Sequence, residues 1–150
     1  MLVKKKVTNF NCIDVSLIED FSNVFASTNI ENIDISGWDV SKGKDFSCMF
    51  FNCKKFNADI SKWDVSNATD FFNMFKNCYR FNCDLSSWDV GNCEDFSGMF
   101  YNCFKFRSRL DKWNVSKGEY FINMFYNCHG FRSNLKNWDV SSCYEFTGMF

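Results

Sequence analysis

The chain repeats itself every 25 residues, and this period constrains its possible folds more than any other feature. Trp recurs at 38, 63, 88, 113 and 138, and Met at 49, 74, 99, 124 and 149. Phe follows each of those methionines and also stands three residues before each. Cys53, Cys78, Cys103 and Cys128 form another column, and each is preceded by Asn. Several independent columns with one period read as a repeat solenoid of six units in 150 residues. One unit cannot bury its own apolar side, so stacking has to supply the stability.

Residues 1–25 are a degenerate unit. Ile13 stands in the Trp column and Val24 in the Met column, while Phe21 and Phe25 keep their places. Solenoid ends face water and are usually atypical, so this unit reads as an N-terminal cap. The chain stops at Met149-Phe150, partway through a unit. The C-terminal unit is therefore expected to be truncated, or to stack through its open end in self-association. The whole of 1–150 is expected to be one solenoid domain.

Within a unit, Phe71, Met74, Phe75 and Cys78 fall at i, i+3, i+4 and i+7, the spacing of one helix face. Thr69 or Asp70 is placed to cap that helix. Trp88 and Val90 alternate as in a strand, which predicts a short strand near 85–90. One helix and one strand per 25-residue coil is the unit of a leucine-rich-repeat-like solenoid. Its strands would form a parallel sheet at about 4.8 Å spacing.

The chain carries 20 Phe and five Trp, so the core is aromatic, not aliphatic. Pro is absent and Gly scarce, and nothing reads as a flexible linker. The formal net charge of −1 offers no basic excess for phosphates, which argues against nucleic-acid binding. No apolar run approaches the ~20 residues of a membrane span. A basic cluster, Lys4-Lys5-Lys6, opens the chain, but no apolar stretch of signal-peptide length follows it.

Two phrases carry a family resemblance. Asp95-Phe96-Ser97-Gly98-Met99-Phe100-Tyr101-Asn102-Cys103 and Asp84-Leu85-Ser86-Ser87-Trp88-Asp89-Val90 recur in register through roughly residues 10–150. They resemble the 25-residue repeat of BspA-like leucine-rich-repeat surface proteins. That resemblance implies a surface-exposed, lipid-anchored or secreted protein used in adhesion or host interaction. It implies no catalytic residue and no cofactor.

The residues themselves point the same way. The nine cysteines include no C-x2-C pair of a structural zinc site. The ladder Cys53, Cys78, Cys103, Cys128 reads as a stack of small buried thiols, with disulfides or a metal as the sharper alternatives. The Trp column (Trp38, Trp63, Trp88, Trp113, Trp138) reads as core, and the Asn column at 52, 77, 102 and 127 as turn structure. Asp39, Asp64, Asp89 and Asp139 follow Trp, and Asp34, Asp59 and Asp84 form a second acidic column. Such columns accept hydrogen bonds at a turn, bind calcium, or supply the paired carboxylates of a hydrolase. Carboxylates present in nearly every coil behave as structural features do. No cofactor or metal is expected. His129 is the only histidine, and no nucleophile motif accompanies it.

Specificity should come from the columns that vary between coils. Phe51, Lys76, Tyr101 and Tyr126 form one, and Lys54, Tyr79, Phe104 and His129 another. A second face changes sign along the stack: Asn57 and Asn82 give way to Arg107 and Arg132, beside Asp59, Asp84, Arg109 and Asn134. Arg107, Arg109 and Arg132 thus form a local basic patch suited to an anionic partner. The expected function is a non-enzymatic binding scaffold for a protein or glycan. A solenoid hydrolase with paired Asp and a structural assembly module are the alternatives.

Overall fold

The structure, a computed structural model, describes residues 8–150. The Lys4-Lys5-Lys6 cluster and the first seven residues of the expected cap lie outside the described residues. Among the described residues there is no helix. The only strands there are the two-residue β1 (Thr8–Asn9) and β2 (Ile33–Asp34), paired in parallel with Thr8 opposite Ile33. The leucine-rich-repeat-like solenoid, with a helix and a strand in each coil, is therefore not what this sequence forms. Each 25-residue period is a run of turns.

The physical reason lies in the asparagines. Asn23, Cys48, Asn73, Gly98, Asn123 and Gly148 share one position of the repeat and hold φ between 53° and 63°. Four residues later, Ser27, Asn52, Asn77, Asn102 and Asn127 hold φ between 58° and 66°. This left-handed region suits Gly and is tolerated best by Asn among the other residues. Asn73 and Asn77 thus interrupt the segment 71–78 twice, and no α-helix survives that. Its apolar spacing comes from successive turns. Met74, Lys76 and Cys78 each donate an N–H to the carbonyl three residues back, at 3.1, 3.1 and 2.9 Å.

The alternate N–H groups point out of the coil. Phe71 donates to Asp95 at 2.9 Å, Asn73 to Ser97 at 2.8 Å, Phe75 to Met99 at 2.9 Å and Asn77 to Tyr101 at 2.8 Å. The same pattern repeats in neighbouring coils, and a file of single parallel bridges runs Asp20, Asp45, Asp70, Asp95, Tyr120, Glu145 beside it. The segment expected to be helical therefore carries the inter-coil ladder. The segment expected to be a strand is a turn: Trp88 N–H bonds the Leu85 carbonyl at 3.1 Å. Nor does Asp70 cap a helix; its carboxylate takes the Phe72 N–H at 2.6 Å, closing one turn.

Inside, the repeated columns become ring stacks. Phe50, Phe75, Phe100 and Phe125 stack at 5.7–5.8 Å between centroids, and Phe56, Phe81, Phe106 and Phe131 at 5.7–6.0 Å. Trp38 lies parallel to Trp63, and Trp113 to Trp138, within 3°. Each indole also has a polar partner. Trp88 Nε1 donates to Ile60 O at 3.1 Å, and Trp113 Nε1 to Leu85 O at 2.9 Å. Those same carbonyls accept the turn N–H of Trp63 and Trp88. One lone pair closes a coil and the other joins it to the next, so the buried N–H groups stay satisfied.

This construction predicts how the chain tolerates deletion. Removing residues 71–95 joins Asp70 to Phe96 in register and should leave a shorter, cooperatively folded protein. Removing only 71–82 shifts every ring and carbonyl out of line and should abolish the cooperative melt. Thermal unfolding followed by tryptophan fluorescence distinguishes the two.

Candidate binding face

The repeated polar columns are used up by the fold. Asp14, Asp39, Asp64, Asp89 and Asp139 each accept the N–H two residues on at 3.0–3.1 Å. Asp34, Asp59 and Asp84 do the same at 3.0–3.1 Å. The hydroxyl of Ser61, then its N–H, holds the Asp59 carboxyl below the usual range. The N–H and then the hydroxyl of Ser86 do so for Asp84. The file Asp45, Asp70, Asp95 differs: burial first, then the charges of Asp45 and Asp95, raises the Asp70 carboxyl. Among the described residues no cluster of three His, Cys, Asp or Glu side chains is arranged to hold a metal ion.

The cysteine ladder is buried, and its thiols point back into the preceding coil. Sγ of Cys53, Cys78, Cys103 and Cys128 lies 2.9, 3.0, 3.1 and 2.7 Å from the carbonyls of Phe25, Phe50, Phe75 and Phe100. These carbonyls take the S–H as the Ile and Leu carbonyls take the indole N–H. All nine cysteines are free. Burial pushes the Cys78 and Cys103 thiols well up and Cys128 to about 12. Beside them runs an amide ladder: Asn102 Nδ2 donates to Asn77 Oδ1 at 2.8 Å, and Asn127 Nδ2 to Asn102 Oδ1 at 2.9 Å.

The variable columns flank these ladders at the surface. Tyr101 and Tyr126 stack at 4.8 Å, and the Lys76 ammonium sits 4.8 Å from the Tyr101 ring. Phe51, Lys76 and Tyr101 are half-buried and Tyr126 is exposed. Across the cysteines, Tyr79, Phe104 and His129 stack at 5.0 and 5.8 Å. His129 then shares a shallow cleft of about 300 Å³ with Arg107 and Arg132. Arg107 and Arg109 line a broader, open cleft of about 830 Å³ with Asp84, Asp111 and Lys112.

The expected face therefore divides. Phe104, His129, Arg107 and Arg132 are continuous with one another. Lys76 and Tyr101 line a different cleft. Arg109 is held by Asp111 at 3.3 Å and contributes little free charge. Lys55 and Arg80 are engaged by Glu31 at 3.7 and 3.1 Å. Among the described residues neither Arg107 nor Arg132 forms an ion pair.

Reading by repeated columns misses the cleft that Lys76 and Tyr101 line. It holds about 250 Å³, and Phe72, Ser97, Tyr120 and Ile122 also line it. Its signal is a break in two columns. Ser22, Ser47, Phe72, Ser97, Ile122 and Thr147 share one position, and Tyr120 interrupts the acidic file. Ser97 lies between two bulky neighbours of its own column.

The turn-built repeat extends along the described chain, and one family covers it. The family described as Mycoplasma protein of unknown function, DUF285, matches residues 2–110 and 74–150. The chain belongs to the DUF285 family. No curated protein and no solved structure matches it. Among the described residues of this DUF285 protein, no helix is long and apolar enough to cross a membrane.

Two outcomes follow for this DUF285 chain. Asp70→Asn keeps the turn acceptor and removes a charge from the acidic file. A raised folded-state pKa favours the native state at low pH and loses that advantage as pH rises through it. Asp70→Asn should therefore raise Tm at pH 7, and the gain should shrink as pH falls through the raised folded-state pKa and be gone below about 4, where the carboxyl is protonated in both states. Differential scanning calorimetry across pH 3–8 checks the sign. In the second test, iodoacetamide at pH 8 should modify the exposed Cys12 first. Cys78, Cys93 and Cys103 should react roughly a hundredfold more slowly until denaturant is added, as peptide mass spectrometry will read.

Proposed function

We propose that this DUF285 chain is a non-enzymatic binding scaffold of the BspA-like, adhesin type, which presents its variable columns to an acidic glycan. One observation carries the reading. The repeated polar residues hydrogen-bond within or between coils, while the varying ones lie at the surface in files. The file Phe104, His129, with Arg107 and Arg132 beside it, joins apolar ring surface to two arginines that no carboxylate engages among the described residues. Arginine suits sulfate and carboxylate through paired N–H donors, and rings beside it supply apolar contact.

The hydrolase alternative is less well supported. Its paired aspartates recur coil after coil, and each already holds a backbone N–H. A general acid or base would need a coil that departs from this pattern.

Surface plasmon resonance over immobilised heparin oligosaccharides tests the scaffold reading. Binding is expected with a Kd of order 1–100 μM, weakening as salt rises. Arg107→Glu combined with Arg132→Glu should lower affinity at least about tenfold without moving Tm. Absence of binding, or affinity unchanged by the double reversal, would remove the anionic partner from this face.

A further inference from the structure

Along the position shared by Ser22, Ser47, Phe72, Ser97, Ile122 and Thr147, only Ser97 has a large side chain on both sides. Phe72 stands one coil before it and Ile122 one coil after. Coils spaced about 4.8 Å apart set these walls about 10 Å apart along the stack. Gly98 stands beside Ser97. Its backbone is left-handed, at φ 63°, and a Cβ there would lie 2.1 Å from Asn73 Oδ1. The absence of that carbon lets the Asn73 amide lie over the glycine. A notch of about 250 Å³ results.

The lining is mixed in a specific way. Phe72 is 41% exposed and Tyr120 39%. No ring pair involves Phe72 among the described residues, and Tyr120 packs only against Tyr144 in the following coil. Apolar ring surface is thus open to the notch. Polar groups lie between the rings: the amides of Asn73 and Asn123, the Asp95 carboxylate and the Ser97 hydroxyl. Asp95 Oδ1 takes the Ser97 N–H at 2.7 Å. The Ser97 Oγ is buried and is the one buried side-chain oxygen or nitrogen among the described residues without a hydrogen-bond partner. An unpaired polar atom on a residue that lines a cleft favours a polar ligand group over an apolar one.

We propose that this notch binds a single neutral pyranose, the terminal sugar of a glycan. A pyranose has an apolar C–H face and a rim of hydroxyls that both donate and accept. It is the compact ligand that meets rings, amides, a carboxylate and a serine at once. An aliphatic or aromatic side chain would leave Ser97 Oγ unpaired. An anionic sugar would meet Asp95 and, beside it in the acidic file, Asp70, while the Lys76 ammonium is engaged on Tyr101. The site rests on the scaffold reading but not on the arginine file, whose residues line other clefts.

The test uses the full chain, ¹⁵N-labelled, titrated with methyl glycosides of glucose, galactose, mannose, N-acetylglucosamine and N-acetylgalactosamine. N-acetylneuraminic acid is the anionic control. At least one neutral glycoside should shift the amides of Ser97, Gly98 and Tyr120 saturably, with a Kd of order 1 mM. Tyr120→Ala removes an exposed ring and should weaken that binding about tenfold. Ser97→Ala should weaken it about threefold while raising Tm, because it deletes the unpaired hydroxyl. Arg107→Glu with Arg132→Glu should change it less than about twofold. If no neutral glycoside moves these amides, or the anionic control binds as well, the notch is not this site. The proposal fails equally if the arginine reversal abolishes the shifts while Tyr120→Ala does not. Heparin binding that persists in that event leaves the scaffold reading intact.

Discussion

A backbone that turns left-handed twice in every 25 residues cannot satisfy its N–H groups within itself. At Phe71, Asn73, Phe75 and Asn77 they face outward and find carbonyls only in the next coil. A peptide group buried without a partner costs about 1–3 kcal/mol, so coils that stack must stack in the register that pairs these groups, and the stack is held along its length. The left-handed positions also decide the composition. Asn and Gly stand at all of them except Ser27 and Cys48, because most other side chains add strain, and Asn102 then uses its amide to extend a ladder between coils.

The other columns follow from the same geometry. Once coils stack in register, a carbonyl that closes a turn has a second lone pair directed at the following coil. Trp and Cys are the residues that reach it, through Nε1 and Sγ, and both fill the interior with the rest of their atoms. The ladder cysteines serve as small buried donors, with their thiols raised by burial. Phe and Met complete the aromatic interior. Function is left to whatever varies at the surface: one file with arginine, and one notch where bulk is missing.

Much of this is readable from residues alone, and the failures are informative. The period, the aromatic core, the buried cysteines and the turn role of W-D-V-S are properties of composition repeated at one spacing. Helix and strand are misread because successive three-residue turns place Phe71, Met74, Phe75 and Cys78 at helical intervals. The contrary sign is present at Asn73 and Asn77, which favour a left-handed backbone over a helix interior. The variable columns suggest one face built from two files; in the structure Tyr101 lines one cleft, Phe104 stacks on His129 beside another, and Arg109 pairs with Asp111. The notch at Ser97 shows in the columns only as two breaks, Phe72 and Ile122 beside a serine and Tyr120 in the acidic file. A column registers what is present at each position; a cavity depends on which positions lack bulk between which neighbours.

Scalar couplings across hydrogen bonds, measured by NMR on the ¹³C,¹⁵N-labelled protein, test the inter-coil ladder most directly. The account predicts couplings from the amide nitrogens of Asn73, Phe75 and Asn77 to the carbonyl carbons of Ser97, Met99 and Tyr101. Couplings from those amides to carbonyls four residues back in their own coil would mean that a helix forms after all, and would contradict it.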